Sequence, residues 1–271
     1  MAIAPKGWVG SLLLGLPEPL RSIRNVPILG NLAHRLSRRL LPADERVWAR
    51  VEGGSAEGLW LELNPRTGQH YLRGDVDPAV QEVLSKRLKP GMVFYDLGAN
   101  IGFFSLLAAR LVGAAGQVFS FEPDPEIAKR LRLNIVRNGF INATVIEAGV
   151  WSSSGSVHFV PADQSSPDRG VGKFVADENS AVGTPTRCVA LDDFARNAPT
   201  PDVIKCDVEG AEVEVFRGAE KLLTTRRPLI LCELHSETND KVLREYFARF
   251  GYRVESVDDL HVLAVPQLVA K

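Results

Sequence analysis

Residues 96–107 read DLGANIGFFSLL, an acid and two glycines set between a run of strand formers and a helix's worth of apolar residues. The preceding residues complete MVFYDLG (92–98), so the stretch reads as strand, glycine turn, helix. Such a turn holds a ligand at the end of a sheet, and the question is which one. A dinucleotide turn needs G-x-G-x-x-G and a P-loop needs G-x-x-x-x-G-K-[ST]. Neither is present. Asp96 ends the strand, and the glycines, Gly98 and Gly102, stand four apart with Asn100 between them. A carboxylate there repels a pyrophosphate and accepts hydrogen bonds from an ammonium group, while Gly98 leaves the backbone open to a bulky ligand.

The next strand candidate, QVFSFEP (117–123), ends at Glu122 and Pro123. An acid at this place accepts the two hydroxyls of a ribose. A third, ATVIEAG (143–149), ends at Glu147, Ala148 and Gly149, where an adenine edge would lie. Ribose together with an amino-acid-like cationic head and no phosphate cradle describes S-adenosylmethionine. The bland alternative is that D-x-G-x-x-x-G is a structural turn and that Glu122 and Asp124 only favour a helix N-terminus.

Working outward, DVIKCDV (202–208) and PLILCEL (228–234) continue a βαβα alternation, which argues for an α/β fold with a mostly parallel sheet wrapped by helices on both faces. Two further strand candidates, 156–160 and 186–191, flank a long polar insertion at 162–183, and GYRVESVDD with HVLAVP reads as a terminal hairpin closing one sheet edge. Ahead of the sheet, residues 57–73 read as a hairpin around NPRTG, with His70 and Tyr71 as candidate acceptor contacts. Apolar residues at 28, 32, 36 and 40 make the stripe of a basic amphipathic helix over 28–41, suited to a peripheral membrane contact, to closing over a substrate as a lid, to a partner or to the domain body. These segments divide the chain into an N-terminal helix-and-hairpin extension, 1–88, and a cofactor-binding domain, 89–271.

With 271 residues, 45% of them hydrophobic, the chain has material for a large core. A net charge of -1 disfavours nucleic acid as a partner. Residues 1–50 are nonetheless basic, with eight Lys/Arg against three acids. Cys188, Cys206 and Cys232 lie inside strand-like runs with no metal-ligand spacing, which points to a reducing, cytoplasmic setting. SLLLGL (11–16) is too short to span a bilayer and is followed by prolines, so neither a signal peptide nor a membrane helix is expected.

The stretches PGMVFYDLGANIGFFSLLAA, VFSFEPDPEIAKRLRLNIVRNG, CVALDDF, DVIKCDVEGAEVEVFRGA and ILCELH, together spanning about Lys89 to Tyr252, resemble the FkbM-type S-adenosylmethionine-dependent methyltransferases. The resemblance implies a class I, Rossmann-like methyltransferase fold with a seven-stranded sheet, and O-methylation of a hydroxyl on a sugar, a glycosylated natural product or a glycolipid. Carried over by position, Asp96, Gly98, Asn100, Gly102 and Phe103 would hold the methionine part, Glu122 and Pro123 the ribose, and Glu147, Ala148 and Gly149 the adenine side, with Asp207 nearby. The family often has a Glu shortly before the first strand; here the lead-in is YLRGDVDPAV, which offers Asp75 or Asp77.

Open α/β sheets place ligands at the carboxyl ends of their strands, and there this chain concentrates Asp207 and Glu209, then Glu233 and His235. Residues two apart on a strand share a side, so all four converge if the strands are neighbours. His235 is then a general base for the acceptor hydroxyl, or else Asp207, Glu209 and Glu233 hold a divalent cation. The absence of fixed ligand spacing favours the metal-free reading, so a divalent metal is compatible with the cluster but no metal ligand is assigned. Base methylation is disfavoured, because Asp207-Val208-Glu209-Gly210 supplies no aromatic platform. The competing readings are a nucleotide-sugar oxidoreductase or epimerase, which lacks its glycine fingerprint, and an inactive cofactor-binding partner module.

Overall fold

A computed structural model describes residues 45–160, 172–175 and 183–267. The elements in order are β1 (Val47–Arg50), β2 (Trp60–Leu63), α1 (Gln69–Arg73), α2 (Pro78–Arg87), β3 (Val93–Leu97), α3 (Phe103–Val112), β4 (Gln117–Phe121), α4 (Pro125–Arg137), β5 (Ala143–Ile146), β6 (Gly149–Val150), β7 (Gly155–Val160), β8 (Lys173–Val175), β9 (Thr184–Val189), α5 (Leu191–Phe194), β10 (Val203–Cys206), α6 (Glu212–Arg217), α7 (Glu220–Thr225), β11 (Leu229–Glu233), α8 (Glu237–Arg249), β12 (Tyr252–Ser256) and β13 (His261–Pro266).

The main sheet has seven strands in the order β12-β13-β11-β10-β3-β4-β5. Neighbours from β11 to β5 pair in parallel, and β13 runs antiparallel between β11 and β12. The inner strands are apolar on both faces, as a sheet covered on both sides requires; all four residues of β10 are buried, Lys205 included. α3 is buried along almost its whole length, whereas α4 carries one buried stripe. Asp124 caps α4 by accepting from the N–H groups of Glu126 and Ile127, with Pro125 at the first helical position. Ser236 caps α8 in the same way through Asn239 N–H. A second, four-stranded sheet, β6-β9-β7-β8, grows from the end of β5.

The structure departs from the sequence reading in three places. The chain divides into units Met1–Val76 and Asp77–Lys271, so the boundary falls at 76/77 rather than 88/89, because α2 packs against α3 and goes with the sheet domain. Residues 57–73 are not a hairpin: β2 pairs antiparallel with the upstream β1, and 69–73 form helix α1. The Asn64 side chain accepts from Arg66 N–H, and its carbonyl accepts from Thr67 and Gly68, so the NPRTG turn ends the strand and starts a helix. The 162–183 insertion contains a strand that the sequence reading did not give, since Lys173–Val175 pair antiparallel with β7. The remainder of that insertion and the 28–41 helix lie outside the described residues. Among the described residues no helix is long and apolar enough to cross a membrane.

Candidate active site

The strand order turns back between β3 and β10, and the crevice at their carboxyl ends is where a sheet of this kind accepts a ligand. The turn after β3 is built from left-handed residues: Gly98 (φ 75°), Asn100 (φ 48°) and Gly102 (φ 95°). Asparagine tolerates this conformation best among residues with a Cβ, and its Oδ1 accepts from Ile101 N–H at 2.7 Å. The two glycines serve packing as much as ligand access. A Cβ at Gly98 would collide with the Asp207 carbonyl oxygen, and one at Gly102 with the Leu131 side chain.

A pocket of about 830 Å³, partly open to solvent, runs from this turn along the ends of β4, β5 and β10. Its walls include Gly98 and Asn100; Glu122 and Pro123; Ala148 and Gly149; and Asp207 and Glu209. Glu122 is 6% exposed, its Oε2 accepting from Asn100 N–H and its Oε1 from Asp124 N–H, each at 2.9 Å. Burial pushes its carboxyl up to about 7, against those two hydrogen bonds. Each carboxylate oxygen keeps a further lone pair for a ligand hydroxyl. Glu122→Ala is expected to weaken S-adenosylhomocysteine binding by about tenfold or more, the scale of a lost charged hydrogen bond, in a calorimetric titration.

The remaining candidate residues have their own surroundings. Asp96 is fully buried behind the pocket: Ser105 Oγ donates to its Oδ2 at 2.6 Å, Ser120 Oγ donates to Ser105 Oγ, and Lys205 Nζ lies 3.7 Å from its Oδ1. It is not among the residues on the pocket wall and anchors the turn from behind. Phe103 is buried edge-to-face against Phe104, 5.3 Å between centroids. Glu147 turns out to pair with Arg132 at 2.8 Å. His70 and Tyr71, the candidate acceptor contacts, have ring centroids 4.2 Å apart in a tilted pair on α1, within the smaller unit.

At the β10 and β11 ends the structure does bring Asp207, Glu209, Glu233 and His235 together, as the strand pairing of β10 with β11 dictates. His235 Nδ1 donates to Glu212 Oε1 at 2.7 Å, and its Nε2 is 3.0 Å from Glu209 Oε2 and 3.7 Å from both Asp207 Oδ1 and Glu233 Oε1. Burial alone would lower the imidazole pKa, but the hydrogen bonds to Glu209 and Glu212 outweigh it and push it up to about 11. The ring is thus held as a cation with both N–H groups committed. Glu212 is completely buried; burial raises its carboxyl, yet the hydrogen bonds from His235 and Gly210 N–H keep it below the usual range, and Asn239 Nδ2 donates to its other oxygen. Glu209 is itself left-handed (φ 55°), a strained conformation that aims its carboxylate at His235.

Sequence reasoning missed several members of this cluster. Lys205, 5% exposed, reaches Asp207 Oδ2 at 3.1 Å and lies 5.2 Å from the Phe104 ring centroid. A lone lysine within an otherwise apolar strand was the available signal. His261, at the start of β13, holds Asp258 at 2.8 Å and faces Glu233 at 3.5 Å. Asp77, one of the two lead-in acids that the sequence offered, is left-handed at φ 37° and feels His261, Glu233, Lys205 and Asp207; burial raises its carboxyl. Asp207, Glu233 and His235 also offer donor atoms within 4.8 Å of one another, a span suited to a divalent ion.

The pocket fits a cationic nucleoside and not a dinucleotide. Four carboxylates, Glu122, Asp124, Asp207 and Glu209, and no lysine or arginine are among the described residues on its wall, so a sulfonium is attracted and a pyrophosphate repelled. In comparisons with known proteins, residues 96–254 match the model of the methyltransferase FkbM domain. Hexuronic acid methyltransferase AglP of Haloferax volcanii is 30% identical over 197 residues, covering 71% of this chain and 73% of that protein. 2-O-methyltransferase NoeI of Sinorhizobium fredii is 29% identical, covering 70% of this chain and 82% of its own. 31-O-demethyl-FK506 methyltransferase FkbM of Streptomyces tacrolimicus is 28% identical, covering 69% and 77%.

Proposed function

From the premise that this chain belongs to the FkbM methyltransferase family, we propose that it methylates a hydroxyl of a sugar, free or carried on a natural product or lipid. Its reaction is S-adenosylmethionine-dependent O-methyl transfer. When bound, that cofactor supplies an electrophilic methyl group on a sulfonium and leaves as S-adenosylhomocysteine. The observation that carries the acceptor reading is the convergence of Asp207, Glu209 and Glu233 around His235 beside the pocket. Ionised carboxylates are acceptor-only groups and suit a partner with several hydroxyl donors. The names of the relatives, a hexuronic acid methyltransferase and a 2-O-methyltransferase, agree with such a partner.

In this reading Asp207 and Glu209, both on the pocket wall, receive the acceptor hydroxyl and take its proton as the methyl–oxygen bond forms. His235 fixes Glu209 from the other side, and Lys205 fixes Asp207. The expected role of His235 as the base gives way to that of a cation, since its nitrogens already donate to carboxylates. Methyl transfer to a panel of nitrophenyl glycosides, followed by S-adenosylhomocysteine release, tests the acceptor; transfer to none of them would sink it. Treatment with a chelator is expected to leave turnover unchanged, whereas loss restored by Mg²⁺ would assign Asp207, Glu233 and His235 to a metal.

A pH experiment separates the two roles of His235. A histidine whose folded pKa is raised contributes stability that is complete below its unfolded value of about 6.5 and is lost as pH rises towards 11. The melting-temperature gap between wild type and His235→Gln should accordingly narrow between pH 6 and pH 10. His235→Gln should also lower kcat while leaving S-adenosylhomocysteine affinity nearly intact. A kcat/KM limb that rises with pH near 6.5 would return the base role to His235.

The three cysteines are free and buried, which agrees with a cytoplasmic enzyme. A glycolipid acceptor would give the basic 28–41 segment a place at the membrane surface, while a soluble glycoside would not.

A further inference from the structure

We propose that Phe174, on the β8 strand of the insertion, stacks on the purine of the cofactor and fixes its position; this rests on the S-adenosylmethionine reading of the pocket. Glu122, the ribose acid, sits at the end of β4, and its N–H donates to Ile146 O at the end of β5. The base attached to that ribose must therefore lie over the neighbouring residues Ala148 and Gly149. The tip of the Phe174 ring stands directly above Gly149, in the space where a Cβ would be.

Gly149 and Gly172 differ from the glycines of the first turn, because neither has a positive φ. Their missing side chains make room instead: Gly149 for Phe174, and Gly172 for Phe159. The Phe159 and Phe174 centroids are 5.1 Å apart, and Trp151 supports Phe174 from another side at 5.6 Å. Both rings line the pocket, Phe159 at 7% exposure and Phe174 half-buried. Ile127 and Pro123 of the α4 entry also line the pocket, so it offers a flat heterocycle apolar walls beside the Phe174 ring. Stacking of a base on an aromatic ring is sequence-tolerant and strong enough to dominate such a contact.

Calorimetric titration of the full chain with S-adenosylhomocysteine and with adenosine provides the test. Phe174→Ala is expected to raise both dissociation constants about tenfold or more, while Phe174→Tyr retains wild-type affinity, a rescue that bulk loss alone would not distinguish by ligand. Gly149→Ala, which pushes the ring out of place, should weaken binding in wild type and add little on top of Phe174→Ala. Wild-type affinity in a folded Phe174→Ala, or a rise only in the KM for the acceptor, overturns the proposal. Failure of the wild-type protein itself to bind S-adenosylhomocysteine would instead overturn the cofactor reading beneath it.

Discussion

Lys205→Met is expected to destabilise the sheet domain by about 3–5 kcal/mol, the cost of removing one partner from a buried ion pair. The side chain is 5% exposed and serves two carboxylates, Asp207 at 3.1 Å and the fully buried Asp96 at 3.7 Å. Burial would strip its proton, but these carboxylates more than compensate and raise its pKa, so it is charged. Without it, Asp96 keeps only the Ser105 hydroxyl, and its other oxygen has no hydrogen-bond donor. A loss of this size is a large share of the ~5–15 kcal/mol that stabilises a typical domain. Urea unfolding measures it. The double variant Asp96→Asn, Lys205→Met should recover part of the loss, because the orphaned charge goes with the cation. A Lys205→Met protein as stable as wild type would show that the ion pair contributes nothing to the fold. Lys205→Arg is not expected to substitute, since a planar fork does not fit a site shaped around a compact ammonium.

Gly98→Ala carries the second large effect, and it reaches both stability and binding. The left-handed backbone at φ 75° costs an alanine about 1–2 kcal/mol. The new methyl also meets the Asp207 carbonyl oxygen, a backbone atom that cannot rotate away. Overpacking of this kind adds about 1–3 kcal/mol. Relief requires the ends of β3 and β10 to separate, which moves Asn100 on one side and Asp207 on the other. S-adenosylhomocysteine affinity should consequently fall about a hundredfold or beyond detection in calorimetry. Gly102→Ala is the comparison: its methyl meets the mobile Leu131 side chain, so binding should suffer less. Equal losses in the two variants would mean that the approach of β3 to β10 is not what makes Gly98 special.

The sheet was readable because each inner strand is a short apolar run followed by helix periodicity, as in MVFYDLG before FFSLLAARLV. The convergence of Asp207, Glu209, Glu233 and His235 was readable too, since they follow or end two strands that lie side by side, although Asp207, Glu209 and His235 stand beyond the strand ends and Glu209 reaches the cluster through a left-handed turn rather than by alternation. What escaped were groups whose role depends on long-range pairing. Lys205 looks like an outlier until the register sets it opposite Asp96, and His261 enters only because β13 inserts beside β11. The full burial of Asp96 behind the turn is likewise not revealed by its place in the motif. Phe174 escaped because its strand is three residues long inside a polar insertion, below what periodicity can detect.

The position of β13 also bears on how the protein comes to be active during synthesis. The strand is the last described element in chain order, yet it sits inside the sheet and separates β11 from β12. A nascent chain that has produced only as far as β12 holds β11 with an open edge, and β12 has no neighbour to pair with. His261 also has yet to arrive opposite Glu233. All the described residues of the cofactor pocket, the last of them Glu209, precede β13 in the chain, whereas the acceptor end waits for the emergence of residues 261–266. Ribosome-stalled chains released before and after that point should differ in turnover far more than in cofactor retention.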